Sequence, residues 1–542
     1  MPITRRRLLS SGAAGLILPL ASACTSPVPA PAARRPVTGR EVFLHGVASG
    51  DPDSDSVVLW TRAAPGSEAG PVQVDWYLYA DPALSLLVAR GSVTTDARRD
   101  WTTKVLPTGL APATTYYYRF EARGEQSPIG RTRTLPQAGS TRLRIAFASC
   151  SNLPFGHFNV YGQIARRDDL DLVLHLGDYI YEYANGEYGD GTRFDRVPRP
   201  DREIVSLADY RARYAQYRED PDLQELHRQH AMVAVWDDHE SANNSWRDGA
   251  ENHEPGDGEG AWPDRKAAAV RAWHEWLPAR AALPATEPRI WRSFALGGMV
   301  DLVMLDTRLY GRDREAAAKT DRTVLDDPSR TLLGAAQEAW LLDELTTSKQ
   351  RGTHWRILGQ QVMFGQLGGY GDTPILNTDQ WDGYPHARQR ILDHLRTGAI
   401  DNVAVLTGDI HSSWAMDIAE RPFDTAAYDP DTGRGSLAVE FVTPSVTSPF
   451  MTDRKAAEQR AAEGLRNHPH MRYVDLYHKG YVLLDVTAER MQAEFWHADT
   501  IETQDLAESL AAVYTTASGA NHLVEGGAAS DTGEARDPAP AG

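Results

Sequence analysis

The chain has 542 residues, with 74 acidic against 56 basic side chains and a formal net charge of −18. Nucleic acid and anionic membrane surfaces repel such a polyanion, so neither is expected as a partner. Cys24 and Cys150 are the two cysteines. Once Cys24 is cleaved off or lipidated, Cys150 has no disulfide partner left.

The chain opens Thr4-Arg5-Arg6-Arg7-Leu8-Leu9 and continues as a short Gly/Ala-rich apolar run to Ala23. A basic start, an apolar stretch short for a membrane span and small residues before a cleavage point make residues 1–23 an export signal. The adjacent arginines add a twin-arginine address, which implies passage of a folded chain through the Tat machinery. Ala21-Ser22-Ala23 suits an ordinary signal peptidase, and the same residues before Cys24 resemble a lipobox. Both outcomes stay open: a secreted or periplasmic protein, or one anchored to the envelope by lipid on Cys24. Residues 24–40 are a Pro/Ala-rich linker. No later segment is long and apolar enough to span a bilayer.

From residue 41 to about 138, short β-branched runs alternate with Gly/Pro turns, a pattern expected of an all-β sandwich of the fibronectin or immunoglobulin kind. Leu110-Ala111-Pro112-Ala113-Thr114-Thr115-Tyr116 resembles the Leu-x-Pro-x-Thr-x-Tyr turn of fibronectin-type sandwiches, in which the tyrosine pins a strand to the preceding corner.

Beyond Leu143, apolar strand-like runs alternate with amphipathic helical stretches at Phe158 to Arg167, Leu207 to Arg218, Arg265 to Leu277, Ala335 to Leu345 and His386 to Leu395. This is the signature of a layered α/β domain, expected over residues 139–515. The informative feature is how the strands end. Leu143 to Ala148 runs into Ser149-Cys150-Ser151-Asn152, and Leu172 to Leu176 into Gly177-Asp178-Tyr179-Ile180-Tyr181. Ala231 to Trp236 runs into Asp237-Asp238-His239-Glu240, with Asn243-Asn244 beyond; Trp355 to Leu358 into Gly359-Gln360-Gln361; Val403 to Leu406 into Thr407-Gly408-Asp409-Ile410-His411. Ligands bind at the carboxyl ends of such strands. Carboxylates gathered at one sheet edge repel unless cations neutralise them, so a metal cluster is the simplest resolution. Met304-Leu305-Asp306-Thr307-Arg308 is another strand end, read as an Asp306–Arg308 ion pair that shapes the rim.

These motifs resemble the metallophosphoesterase superfamily and, within it, the PhoD-type alkaline phosphatases. Gly177-Asp178, Asp237-Asp238-His239-Glu240 and Gly408-Asp409-Ile410-His411 stand where the superfamily carries its ligands. Ser149-Cys150-Ser151-Asn152 replaces the usual Asp-x-His, as in the PhoD type, and Phe43 to Arg62 resembles that family's amino-terminal signature. The resemblance implies one ferric and two calcium ions. Thiolate and phenolate from Cys150 and Tyr181 suit the iron. Oxygens of Asp178, Asp238, Asn244, Gln361 and Asp409 suit calcium, with Asp178 as the bridging carboxylate.

The implied reaction is release of phosphate by in-line attack of an oxygen nucleophile activated at the metals. His239 would stabilise the transition state or protonate the leaving oxygen, and His411 would bind metal or phosphate. The alternative is phosphodiesterase or phospholipase D-like activity at the same centre; a non-catalytic envelope-binding protein is a more distant one. Tyr183 to Arg202 is read as a lid or a solvated loop, Leu506 to Tyr514 as a helix that caps the site, and residues 516–542 as a disordered tail. The protein is expected to be a monomer.

Overall fold

The strand Leu172–His175 is buried at all four positions and pairs in parallel with Arg142–Ala148 on one side and Ala231–Ala234 on the other. Strands covered on both faces carry continuous apolar runs, so their polar residues are confined to the ends. In this computed structural model, which describes residues 41–67, 70–280, 289–368 and 375–541, these three strands lie at the centre of a ten-stranded sheet. The export signal, Cys24 and the linker lie outside the described residues.

A seven-stranded sheet forms the second layer, with Val300–Met304, Trp355–Gly359, Val403–Thr407 and Ser436–Val442 adjacent and parallel. Its residues divide by the two-residue period of a strand. Leu302, Met304, Ile357, Ala404 and Leu406 share one core with Phe147 and Leu174 of the first sheet. Val303, Leu358, Val403 and Val405 face the other way, against Leu341 and Leu345 of the helix Ala335–Arg351 and Ile391 and Leu395 of the helix Pro385–Thr397. Leu174 has no exposed surface, and truncating such a side chain to Ala costs about 2–5 kcal/mol. Both sheets therefore hold their strand ends in fixed positions.

The five expected helices form, as Asn159–Ala165, Leu207–Tyr217, Trp262–Trp276, Ala335–Arg351 and Pro385–Thr397; the fourth continues well past its expected end at Leu345. Leu207–Tyr217 starts at a capping box in which Ser206 and Asp209 satisfy each other's backbone N–H.

The amino-terminal region is all-β, and the expected tyrosine corner is present: the Ala111 N–H donates to Tyr116 Oη at 2.9 Å. The region is not self-contained. Val47–Gly50, Val58–Arg62 and Thr102–Val105 continue the ten-stranded sheet beside Ala231–Ala234, while Leu87–Thr95, Val72–Tyr79, Thr115–Ala122, Glu125–Gln126 and Gly130–Arg133 form a separate five-stranded sheet.

Two expectations at the carboxyl end are corrected. Leu506 to Tyr514 is not a helix: the strand Glu508–Ala517 pairs antiparallel with Arg490–Ala498, and the β-branched and aromatic Val513-Tyr514-Thr515-Thr516 suits it to that place. The residues after 516 pack on the protein. Arg228 donates to the carbonyls of Ala539 and Pro540 at 3.0 and 2.9 Å, Tyr117 to that of Asp537 at 2.7 Å, and Arg536 pairs with Asp171 at 2.6 Å. The tail's composition does not reveal Tyr117, Asp171 and Arg228 as its partners, which lie hundreds of residues away.

Candidate metal centre

Five residues at the carboxyl ends of the strands adopt left-handed backbone angles: Cys150, Asp178, Asn244, Asp409 and His411, with φ between 49° and 64°. Each such residue costs about 1–3 kcal/mol, and such strain gathers at functional sites. Gly177 lets the turns approach: a Cβ there would lie 2.4 Å from the Asp237 Cβ. The strand ends at 177–178 and 237–238 thus touch through backbone.

On one side of the centre, Tyr181 Oη donates to Asp178 Oδ2 at 2.8 Å, lies 3.1 Å from His411 Nε2 and accepts the Ser448 hydroxyl at 2.7 Å. The Cys150 thiol is fully buried and donates to Ser149 Oγ at 3.0 Å. Burial pushes Cys150, Tyr181 and Asp178 well above their ordinary ranges, and the Asp178 charge raises the thiol and the phenol further. The Tyr181 and His239 rings lie 4.3 Å apart between centroids. His239 Nδ1 lies 2.8 Å from the fully buried Glu182 carboxylate, whose other oxygen accepts from Asn243 and Asn252 at 2.8 and 2.9 Å. Burial opposes the imidazolium, but Asp238, Glu182 and Asp178 outweigh it and raise His239.

On the other side, Arg308 is fully buried among carboxylates. It meets Asp237 at 2.5 Å, Asp409 at 2.6 Å, Asp379 at 2.7 Å and Asp238 at 3.7 Å. Asp306 is not its ion-pair partner, contrary to the rim expectation: its carboxylate accepts the backbone N–H groups of Arg308, Leu309 and Tyr310 at 2.8, 2.9 and 3.1 Å. This backbone cap turns the chain so that Arg308 enters the centre. Burial raises Asp409 and Asp237 far above the carboxylate range. For Asp238, Arg308 and His239 overcome burial and hold it low.

The donor set fits cations. One donor atom from each of Cys150, Asp178 and His411 lies within 4.8 Å of the others; so do atoms of Asp178, Asp238 and His239, and of Asp237, Asp238 and Asp409. Asp178 and Asp238 each belong to two groups, which places both to bridge. Asp237 Oδ2 and Asp238 Oδ1 are buried with no hydrogen-bond donor, an arrangement that is costly unless a cation completes it.

The structure thus brings Cys150, Asp178, Tyr181, Asp238, Asp409, His239 and His411 together. It does not bring Gln361. Its Oε1 accepts from the Thr307 N–H and hydroxyl at 3.0 and 2.7 Å, and its amide nitrogen donates to the Trp236 and Leu305 carbonyls at 2.7 and 2.9 Å. Both lone pairs are spent on the protein, so Gln361 splices three strand ends. Asn244 stands at the edge: its N–H holds Asp238 Oδ2 at 2.6 Å and its side chain donates to Glu251 at 2.8 Å. Sequence reasoning sets Arg308 at the rim and gives Asp379, Glu182 and Glu240 no role. Glu240 binds the N–H groups of Asp178, Tyr179 and Asp237 at 2.7–2.9 Å, clamping two strand ends. Its signal in the sequence is its place at the end of the Asp237-Asp238-His239-Glu240 run.

The PhoD-like phosphatase family model matches residues 145–495, and the model of that family's N-terminal domain matches residues 29–136. The chain belongs to the PhoD-like phosphatase family. Alkaline phosphatase D of Bacillus subtilis (strain 168) is 38% identical over 469 residues, covering 84% of this chain and 77% of that protein. A solved structure described as "Structure of PhoD" superposes with a TM-score of 0.80 at 34% identity, covering 91% of this chain and 94% of that one. A phosphoric ester hydrolase of the PhoD alkaline phosphatase type is the activity these matches support.

Proposed function

We propose that the protein is an exported phosphatase that releases phosphate from phosphate esters at a centre holding one ferric ion and two calcium ions. The observation that carries this is the meeting of a thiol, a phenol and a carboxylate at Cys150, Tyr181 and Asp178, next to the all-oxygen group of Asp237, Asp238 and Asp409. Soft and phenolic donors suit iron, and carboxylates suit calcium. Cys150, Asp178 and Tyr181 would hold the iron, and Asp178, Asp238 and Asp409 the calcium ions. When bound, such cations neutralise charge on the phosphoryl group and supply an oxygen nucleophile at neutral pH.

The chain's own residues do the rest. Glu182 fixes Nδ1 of His239 and leaves Nε2 as the ring nitrogen that can protonate the departing oxygen. Tyr188, whose hydroxyl lies 3.2 Å from His411 Nδ1, ties the loop after Tyr183 to the centre, which supports the lid reading of that loop. Arg308 holds Asp409 and Asp237 in place and remains inside the carboxylate cage.

Export through the Tat pathway rests on the arginine run at Arg5 to Arg7, and a lipid on Cys24 would make the enzyme envelope-bound. Turnover of p-nitrophenyl phosphate against its bis-ester tests the reading. Faster hydrolysis of the monoester supports it, and a strong preference for the bis-ester replaces it with a diesterase.

A further inference from the structure

The chain crosses from the seven-stranded to the ten-stranded sheet between the strands Met471–Asp475 and Gly480–Thr487. This crossover carries Asp475 and His478, and the neighbouring strand Arg490–Ala498 brings His497 to the same place. One donor atom from each of the three lies within 4.8 Å of the other two. His478 Nδ1 is 2.8 Å from Asp475 Oδ2. The two imidazoles have centroids 4.8 Å apart and planes within 16° of parallel.

The surroundings are prepared as a ligand shell. The Tyr477 and His478 N–H groups donate to Asp475 Oδ1 at 3.0 and 2.8 Å, which fixes the carboxylate and leaves Oδ2 toward the imidazoles. Ser413 Oγ lies 3.4 Å from His497 Nε2, and Ser413 is the cross-strand partner of Asp475. Lys479 is the adjacent cation, and its ammonium is turned to the Tyr477 carbonyl at 3.2 Å. Asp475 and His478 are partly exposed, which gives an ion a path in.

We propose that Asp475, His478 and His497 form a second metal site, separate in all its ligands from the phosphoesterase centre, that takes a divalent transition ion of the zinc class. Two imidazoles and one carboxylate make a three-ligand set with an open position, the donor chemistry zinc prefers over calcium. An ion there pins the crossover between the sheets. The crossover in turn holds the 445–451 segment through Gly480 N–H to the Ser445 carbonyl at 3.0 Å and Met451 N–H to the Leu476 carbonyl at 3.2 Å. That segment carries Ser448, the donor to Tyr181.

The test uses the full-length, metal-loaded enzyme, incubated with zinc sulfate, dialysed and analysed for metal content, beside Asp475→Asn and His478→Gln. Both positions are partly exposed, and circular dichroism checks that the variants fold. The wild type is expected to retain about one more zinc per chain than either variant, with unchanged iron and calcium. Zinc should also raise the melting temperature of the wild type but not of the variants. Equal zinc in all three proteins, or no zinc taken up by the wild type, overturns the proposal. Because iron and calcium are counted in the same samples, failure here is distinguishable from failure of the phosphatase reading.

Discussion

Around Cys150, Asp178 and Tyr181 the acidic groups face one another through a thiol and hydroxyls, whereas around Asp237, Asp379 and Asp409 a guanidinium fills the centre. The same problem, buried anions at strand ends, is solved in two ways. In the Arg308 half the chain supplies its own cation. The Cys150 half is held by the thiol and hydroxyls instead, and burial favours the uncharged forms of its three groups, as it also does for Asp237 and Asp409 beside Arg308. The Arg308 half is therefore partly neutralised by the chain itself, and both halves keep donor atoms for cations.

The sharpest way to break this contrast is Arg308→Met. Removing one partner from a buried ionic network costs about 3–5 kcal/mol, which urea denaturation of metal-stripped protein would read. Arg308→Lys should recover only part, since an ammonium cannot reach several carboxylates at once as the guanidinium does. Wild-type stability in Arg308→Met would mean that the carboxylates simply protonate, as in the other half.

Asp178→Asn should act mainly on activity, lowering turnover by ~10³ or more, with a fall in bound metal and a modest change in metal-free stability. A variant that keeps its metals would remove Asp178 as a bridging ligand. His239→Ala should cost ~10²–10³ in turnover with metal content and fold intact; near-normal turnover would take His239 out of the reaction. Glu182→Gln is the mildest, about 10–100-fold, because it loosens His239 without removing it. A larger loss than in His239→Ala would show that Glu182 does more than orient the ring.

The sequence revealed the Cys150 half better than the Arg308 half, for a physical reason. Cys150 and Asp178 each close an apolar run, so local pattern exposes them, as it does Asp238 and Asp409 in the other half; what local pattern hides there is the arginine that joins them. Arg308 finds Asp237, Asp379 and Asp409 at separations of 71, 71 and 101 residues, and nothing near Arg308 marks those partners. Gln361 shows the converse: an amide at a strand end reads the same whether it faces a metal or, as here, bonds to Thr307, Trp236 and Leu305. Leu506 to Tyr514 reads as a helix because the strand that templates it as part of Glu508–Ala517, Arg490–Ala498, does not alter its local composition.

Elemental analysis of the purified full-length enzyme and of Cys150→Ser tests the central claim most directly. The account expects stoichiometric iron with calcium in the wild type, and loss of iron together with activity in Cys150→Ser. Full activity in a wild-type protein that contains no iron would contradict it.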